Sequence, residues 1–203
     1  MGMSSDQYFT PQPSSPSAPA THEVSARKLS FVLAGDRGVF NRGELDWGTR
    51  VLIENADVPG GDTLLDLGCG GGAIAVALAR LRPDAMVWAV DVNERALDTT
   101  RRSVELNSLT NVRVAAPSDV PGELLFDAIW SNPPIRIGKA ELHAMLLEWL
   151  GRLADGGKAD LVVHKNLGSD SLAKWLAAQG YSVERRASKQ GYRILHVERA
   201  RGG

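Results

Sequence analysis

The sequence predicts an α/β fold: a mostly parallel sheet covered by helices on both faces. Two observations carry this. Short apolar runs with strand character alternate with segments of helical periodicity. A glycine-rich turn, Gly68-Cys69-Gly70-Gly71-Gly72, joins one such run to the helix after it.

The elements follow in chain order. Residues 1–22 are rich in Ser and Pro and cannot bury a core, so they read as a disordered tail ahead of a single domain over 23–203. Ordered structure is expected from about Val24. Leu29, Phe31 and Leu33 alternate as in a strand, and 50–56 read as a short helix stopped at Pro59-Gly60-Gly61. Strands are expected over 63–67, 86–90, 112–114, 126–130 and 161–163, with helices over 73–81, 94–106, 139–153 and 171–179. Val183 and Ile194-Leu195-His196-Val197 read as a last antiparallel pair.

Composition narrows the class. The chain has 203 residues, 43% hydrophobic and 23% charged, which suits one globular domain. No apolar run reaches the roughly 20 residues that span a membrane, and the start lacks a signal-peptide layout. Cys69 stands alone, so no internal disulfide forms and a reducing, cytoplasmic setting is expected. A net charge of −1 does not advertise nucleic-acid binding, yet Arg185, Arg186, Lys189, Arg193, Arg199 and Arg201 face only Glu198 near the end. His143, His164 and His196 lack metal-ligand spacing, so no metal is expected.

Two motifs carry chemistry. Four glycines in five positions exceed what a turn needs and point to a ligand. The pattern also fits a dinucleotide site, so an NAD-dependent oxidoreductase stays open here. Asp66 shifts the balance, because a carboxylate beside the turn would repel a pyrophosphate and attract an ammonium. Asp91, ending its strand, suits ribose hydroxyls, and Asp119 is placed either to meet an adenine amine or simply to form a turn. Cys69, among glycines and with no base nearby, reads as a small filler.

The second motif is Ser131-Asn132-Pro133-Pro134-Ile135, which ends a buried strand because neither proline can donate to the ladder. The Asn132 side chain and the Pro133 carbonyl offer two acceptors, which suits a planar amine presenting two N–H groups.

Taken together, Asp66-x-Gly68-x-Gly70-x-Gly72, Asp91-Val92-Asn93, Asp119 and Asn132-Pro133-Pro134-Ile135 resemble the class I S-adenosylmethionine-dependent methyltransferases, across nearly all of 27–199. Gly38-Val39-Phe40, Leu45-Asp46-x-Gly48-Thr49, Gly138-Lys139, 163–168 and 189–193 look like the ribosomal RNA guanine-N2 methyltransferases of the RsmC type. The resemblance implies a Rossmann-like seven-stranded sheet with an antiparallel final strand. It implies S-adenosyl-L-methionine held by Phe40, Thr49, Asp66, Gly68, Gly70, Asp91, Val92, Asn93, Asp119 and Asn132. Asn132, Pro133, Pro134 and Ile135 become the catalytic set. Arg136, Lys139, Lys165, Lys189 and Arg193 become phosphate contacts to ribosomal RNA or a ribosomal subunit, with the chain a monomer or weak dimer.

Two departures bear on substrate. Longer family members carry a second, amino-terminal copy of the domain, and this chain corresponds to one copy. Ile135 stands where DNA-adenine and release-factor glutamine methyltransferases carry an aromatic residue, which favours RNA guanine over a glutamine amide. A non-catalytic RNA-binding relic would have lost these motifs, and the chain keeps them.

Overall fold

The computed structural model describes residues 18–39 and 44–199. It opens with a hairpin of β1 (Ala20–Ala26) and β2 (Leu29–Gly35). Ala26 pairs with Leu29, so the loop is only Arg27-Lys28, both at positive φ (48° and 59°), as a type I′ hairpin turn requires. The first strand therefore begins at Ala20, inside the stretch expected to be tail. Pairing with β2 orders residues whose composition alone gave no strand signal.

A seven-stranded sheet follows: β3 (Thr63–Leu67), β4 (Met86–Val90), β5 (Val112–Ala115), β6 (Phe126–Ser131), β7 (Leu153–His164), β8 (Tyr181–Lys189) and β9 (Tyr192–Arg199). Its order is β5-β4-β3-β6-β7-β9-β8, and β9 runs antiparallel to both neighbours. The helices are α1 (Trp47–Asn55), α2 (Ala73–Leu81), α3 (Glu94–Leu106), α4 (Lys139–Leu150) and α5 (Ser169–Ala178).

Alternation along the strands builds two cores. Leu64, Val87, Trp130 and Val162 face one side and pack with the hairpin, α1, α2 and α3. Leu65, Val90, Ile129 and Leu161 face the other and pack with Leu146 and Trp149 of α4 and Leu176 of α5. Burying each large side chain contributes about 1.5–3 kcal/mol.

One boundary differs from the sequence reading. Helix α4 ends at Leu150, and Leu153 opens β7 opposite Phe126. Gly151 breaks the apolar helical pattern there, and the Phe126 amide donates to the Arg152 carbonyl at 2.9 Å, starting the ladder.

The chain leaves β3 outward through β4 and β5, then returns to β6 on the far side of β3. The carboxyl ends of β3 and β6 therefore flank the point where strand order reverses. Open α/β sheets bind ligands at that crevice.

Candidate active site

The glycine turn leaves β3 directly into this crevice. Gly68, Gly70 and Gly72 have positive φ (77°, 54° and 84°), which L side chains rarely adopt. At Gly72 an added Cβ would also meet Thr100 Cγ2 at 2.9 Å. At Gly68 the nearest atom would be Pro134 Cδ, 4.0 Å away, so the glycine turn and the proline pair face each other across the crevice.

The turn's amides are largely spent inside the protein. Gly68 and Cys69 donate to the Val90 carbonyl at 2.8 and 3.0 Å, Gly70 to Asp91 Oδ2 at 2.9 Å, and Gly72 to the Cys69 carbonyl at 2.8 Å. Helix α3 grips the turn from behind: Thr100 Oγ1 donates to the Gly70 carbonyl (2.9 Å) and Ser103 Oγ to that of Gly71 (2.8 Å). A pyrophosphate cradle needs free amides. This turn instead presents two carboxylates, which argues against a dinucleotide.

Asp66 is fully buried. Its Oδ2 accepts from the Ala75 amide at 2.9 Å, while Oδ1 has no partner among the described residues. Burial is the main force pushing its pKa up to about 8, against the Ala75 bond, with nearby Asp91 adding to the rise. An unpartnered buried carboxylate oxygen suits a ligand's ammonium. Asp91 Oδ1 accepts from the Asn93 amide at 2.9 Å. Burial raises its pKa too, and its remaining lone pairs are available to hydroxyls. Val92, 49% exposed, offers an apolar surface next door. Asp119 is exposed in a short 3₁₀ turn after β5, beside β4 on the same edge.

Asn93, expected at the cofactor, is a structural cap. Its Oδ1 accepts from the Arg95 and Ala96 amides, and its Nδ2 donates to the Gly38 carbonyl. That leaves its buried side chain little to offer a ligand. Phe40 lies outside the described residues. Cys69 is buried, and burial together with Asp91 and Asp66 pushes its thiol well above its ordinary pKa, consistent with an inert filler.

Across the crevice, Asn132 leaves β6 with a fixed orientation. Its Nδ2 donates to Asp46 Oδ1 and to Thr49 Oγ1, both at 3.1 Å. A carboxylate cannot donate to an amide oxygen, so the partners set which way the amide faces. Asp46 also caps α1, accepting from the Gly48 and Thr49 amides at 2.9 and 3.2 Å. The Pro133 carbonyl accepts from the Ile135 amide at 2.8 Å, closing an inverse γ-turn on Pro134 (φ −74°, ψ 75°). That engages one lone pair and leaves the second. Ile135 is half-buried against the α4-side core.

The other expected residues occupy the same edge. Arg136, Lys139, Lys165 and Lys189 are exposed at or just past the carboxyl ends of β6, β7 and β8. Arg193 corrects the sequence reading: it is ion-paired with Asp170, which also takes Arg185 at 2.7 Å, so its charge is already partnered. Asp46, Gly48 and Tyr192 join the site beyond the sequence assignment. The Tyr192 ring lies on Gly48, where an added Cβ would stand 2.8 Å from Cε1. Asp46 had a legible signal, an N-cap residue type four positions before the first helical residue assigned from sequence, Arg50. Tyr192 lies in the 189–193 segment of the resemblance, but its place against Gly48 comes only from tertiary packing.

Among the described residues no cluster of metal-binding side chains occurs, and no helix is long and apolar enough to cross a membrane.

Comparisons with known proteins agree with this geometry. A protein from Bacillus subtilis (strain 168), described as uncharacterized protein YbxB, is 34% identical over 201 residues, 96% of this chain and 99% of its own. Ribosomal RNA small subunit methyltransferase C from Pseudoalteromonas translucida is 33% identical over 150 residues, and that from Pseudomonas entomophila 35% over 169. The matches cover 71% and 80% of this chain but only 43% and 49% of those proteins, so it spans about half their length. The fold matches the Thermus thermophilus 16S rRNA N2 G1207 methyltransferase, solved with AdoMet and guanosine, at a TM-score of 0.74 and 23% identity. That match covers 91% of this chain and 51% of the other. The methyltransferase small domain model matches residues 30–196. The chain thus belongs to the methyltransferase small domain family and has the Rossmann-like fold of the class I methyltransferases.

Proposed function

We propose that this enzyme methylates the exocyclic N2 amine of a guanine in ribosomal RNA. The observation that carries the reading is the Asn132 amide, turned so that Oδ1 is the face left for substrate. Oδ1 and the free lone pair of the Pro133 carbonyl are two acceptors for the two hydrogens of a planar amine. The guanine N2 lone pair is delocalised into the ring, and holding both hydrogens turns that lone pair toward the donor. The cofactor, when bound, supplies an electrophilic methyl on a good leaving group.

The remaining work is alignment. Held by Asn132 and Pro133, the amine nitrogen would form its bond to the methyl as the methyl–sulfur bond breaks and the neutral thioether leaves, and one amine proton would pass to solvent. The Asp46 carboxylate behind Nδ2 polarises the amide and strengthens Oδ1 as an acceptor. Ile135 packs on the face of the base, which leaves its stack to enter. Arg136, Lys139, Lys165 and Lys189 meet phosphates, giving salt-dependent affinity. The names of the ribosomal RNA methyltransferase relatives and an aliphatic Ile135 support a base over a glutamine amide.

The test is methyl transfer from labelled S-adenosyl-L-methionine to naked ribosomal RNA, small subunits, large subunits and release factor in parallel, with mass mapping of the product. N2-methylguanine in ribosomal RNA is expected. Label confined to release-factor glutamine would sink the reading.

A further inference from the structure

We infer that Trp47 is a stacking platform for the nucleobase next to the target in a single-stranded RNA segment. The inference rests on the RNA reading above and extends it to an adjoining subsite.

Trp47 is the most exposed large apolar side chain among the described residues, at 56%. Trp88, Trp130 and Trp149 are all buried. Its position is not a random stretch of surface. It is the first residue of α1, directly after Asp46, whose carboxylate holds the Asn132 amide. The next residue, Gly48, carries the Tyr192 ring. The backbone under Trp47 is thus pinned from both sides, so presenting the indole costs little further order.

The charge around it matches a nucleic acid. Arg136, Lys139, Lys165 and Lys189 share this edge and form no ion pair among the described residues. On the same side of the sheet, Arg193 is already paired with Asp170. Arg185 and Arg186 of β8 are paired with Asp170, Asp57 and Glu184. An exposed indole among unpaired cations is the pairing that binds single strands: bases stack on the ring while the cations follow the backbone. A base flipped into the crevice unstacks its neighbour, and Trp47 provides that neighbour with a new face.

The test separates this subsite from the target pocket. Two single-stranded RNA probes each carry one guanine. One has flanking uridines, and the other has abasic flanks with the same phosphates. Affinities are measured by fluorescence anisotropy for wild type, Trp47→Ala and Trp47→Phe. Wild type should prefer the base-flanked probe by roughly tenfold. Trp47→Ala should lose the preference, and Trp47→Phe should keep part of it. S-adenosylhomocysteine binding, retained in both variants, shows that they are folded. Equal preference in wild type and Trp47→Ala would overturn the inference while leaving the RNA reading intact. If wild type neither binds nor methylates any guanine RNA but modifies a protein amide, the RNA reading itself falls.

Discussion

Asn132 Nδ2 lies 3.1 Å from Asp46 Oδ1, and this contact sets which face of the amide meets the substrate. Eighty-six residues separate the two in sequence. Asn132→Ala should therefore still bind S-adenosylhomocysteine but transfer methyl at least about 100-fold more slowly, since alignment is what the side chain supplies. Calorimetric affinity and single-turnover rate measure the two separately, and an unchanged rate would remove the amine-holding role.

Gly48 sits under Tyr192 because any side chain there collides with the ring at 2.8 Å and with Asp46 Oδ1 at 3.1 Å. Within a helix, Gly→Ala ordinarily gains up to about 1 kcal/mol. Gly48→Ala should instead lower kcat roughly tenfold by displacing Asp46, with the cofactor's KM little changed. In a Tyr192→Leu background the same substitution should cost less. Full additivity in that double-mutant cycle would break the proposed contact.

Asp66 predicts a proton-linked cofactor. Its pKa is raised by burial from 3.8 to about 8. Between those values the folded apoprotein holds a proton that the unfolded chain has shed, so this group's contribution to stability declines as pH rises through that window. A ligand ammonium beside the carboxylate favours its ionised form. At neutral pH, S-adenosylhomocysteine binding should then release a proton, up to about one per site. Binding enthalpy should vary with the ionisation enthalpy of the buffer, and Asp66→Asn should abolish most of that dependence.

His196 predicts a loss of stability in the same direction, from a different cause. It is buried between Asp160 (2.7 Å) and Glu198 (3.2 Å), and the Asp160 bond is the main force raising its pKa. The raised value favours the imidazolium, so its stabilisation is complete below the ordinary histidine range and fades as pH rises through the folded value. The urea midpoints of wild type and His196→Gln should differ more at about pH 6 than at about pH 9. A constant difference would mean that the imidazole acts only through packing.

The sheet was legible because its strands are continuous apolar runs ended by glycine or proline, as at Leu67-Gly68 and Ser131 to Pro134. The two ligand motifs were legible because their backbone demands restrict residue choice to Gly and Pro. Three parts were not. The α1 start was missed because Trp47 to Thr49 lack apolar periodicity, and the Asp46 cap sets it instead. Asn93 was placed at the ligand because its caps on α3 and on Gly38 exist only in three dimensions. Arg193 was placed at RNA because Asp170 lies 23 residues away in sequence.

The insertion of β9 between β7 and β8 has a consequence for the timing of synthesis. His164 pairs with Tyr192 in that ladder, and this pairing brings the aromatic ring onto Gly48. A nascent chain that has emerged only through β8 already has Asp66, the glycine turn and Asn132, but lacks the ring that steadies the Asp46 clamp. Competence for methyl transfer is therefore expected to arrive after the donor pocket, once β9 has paired with β7.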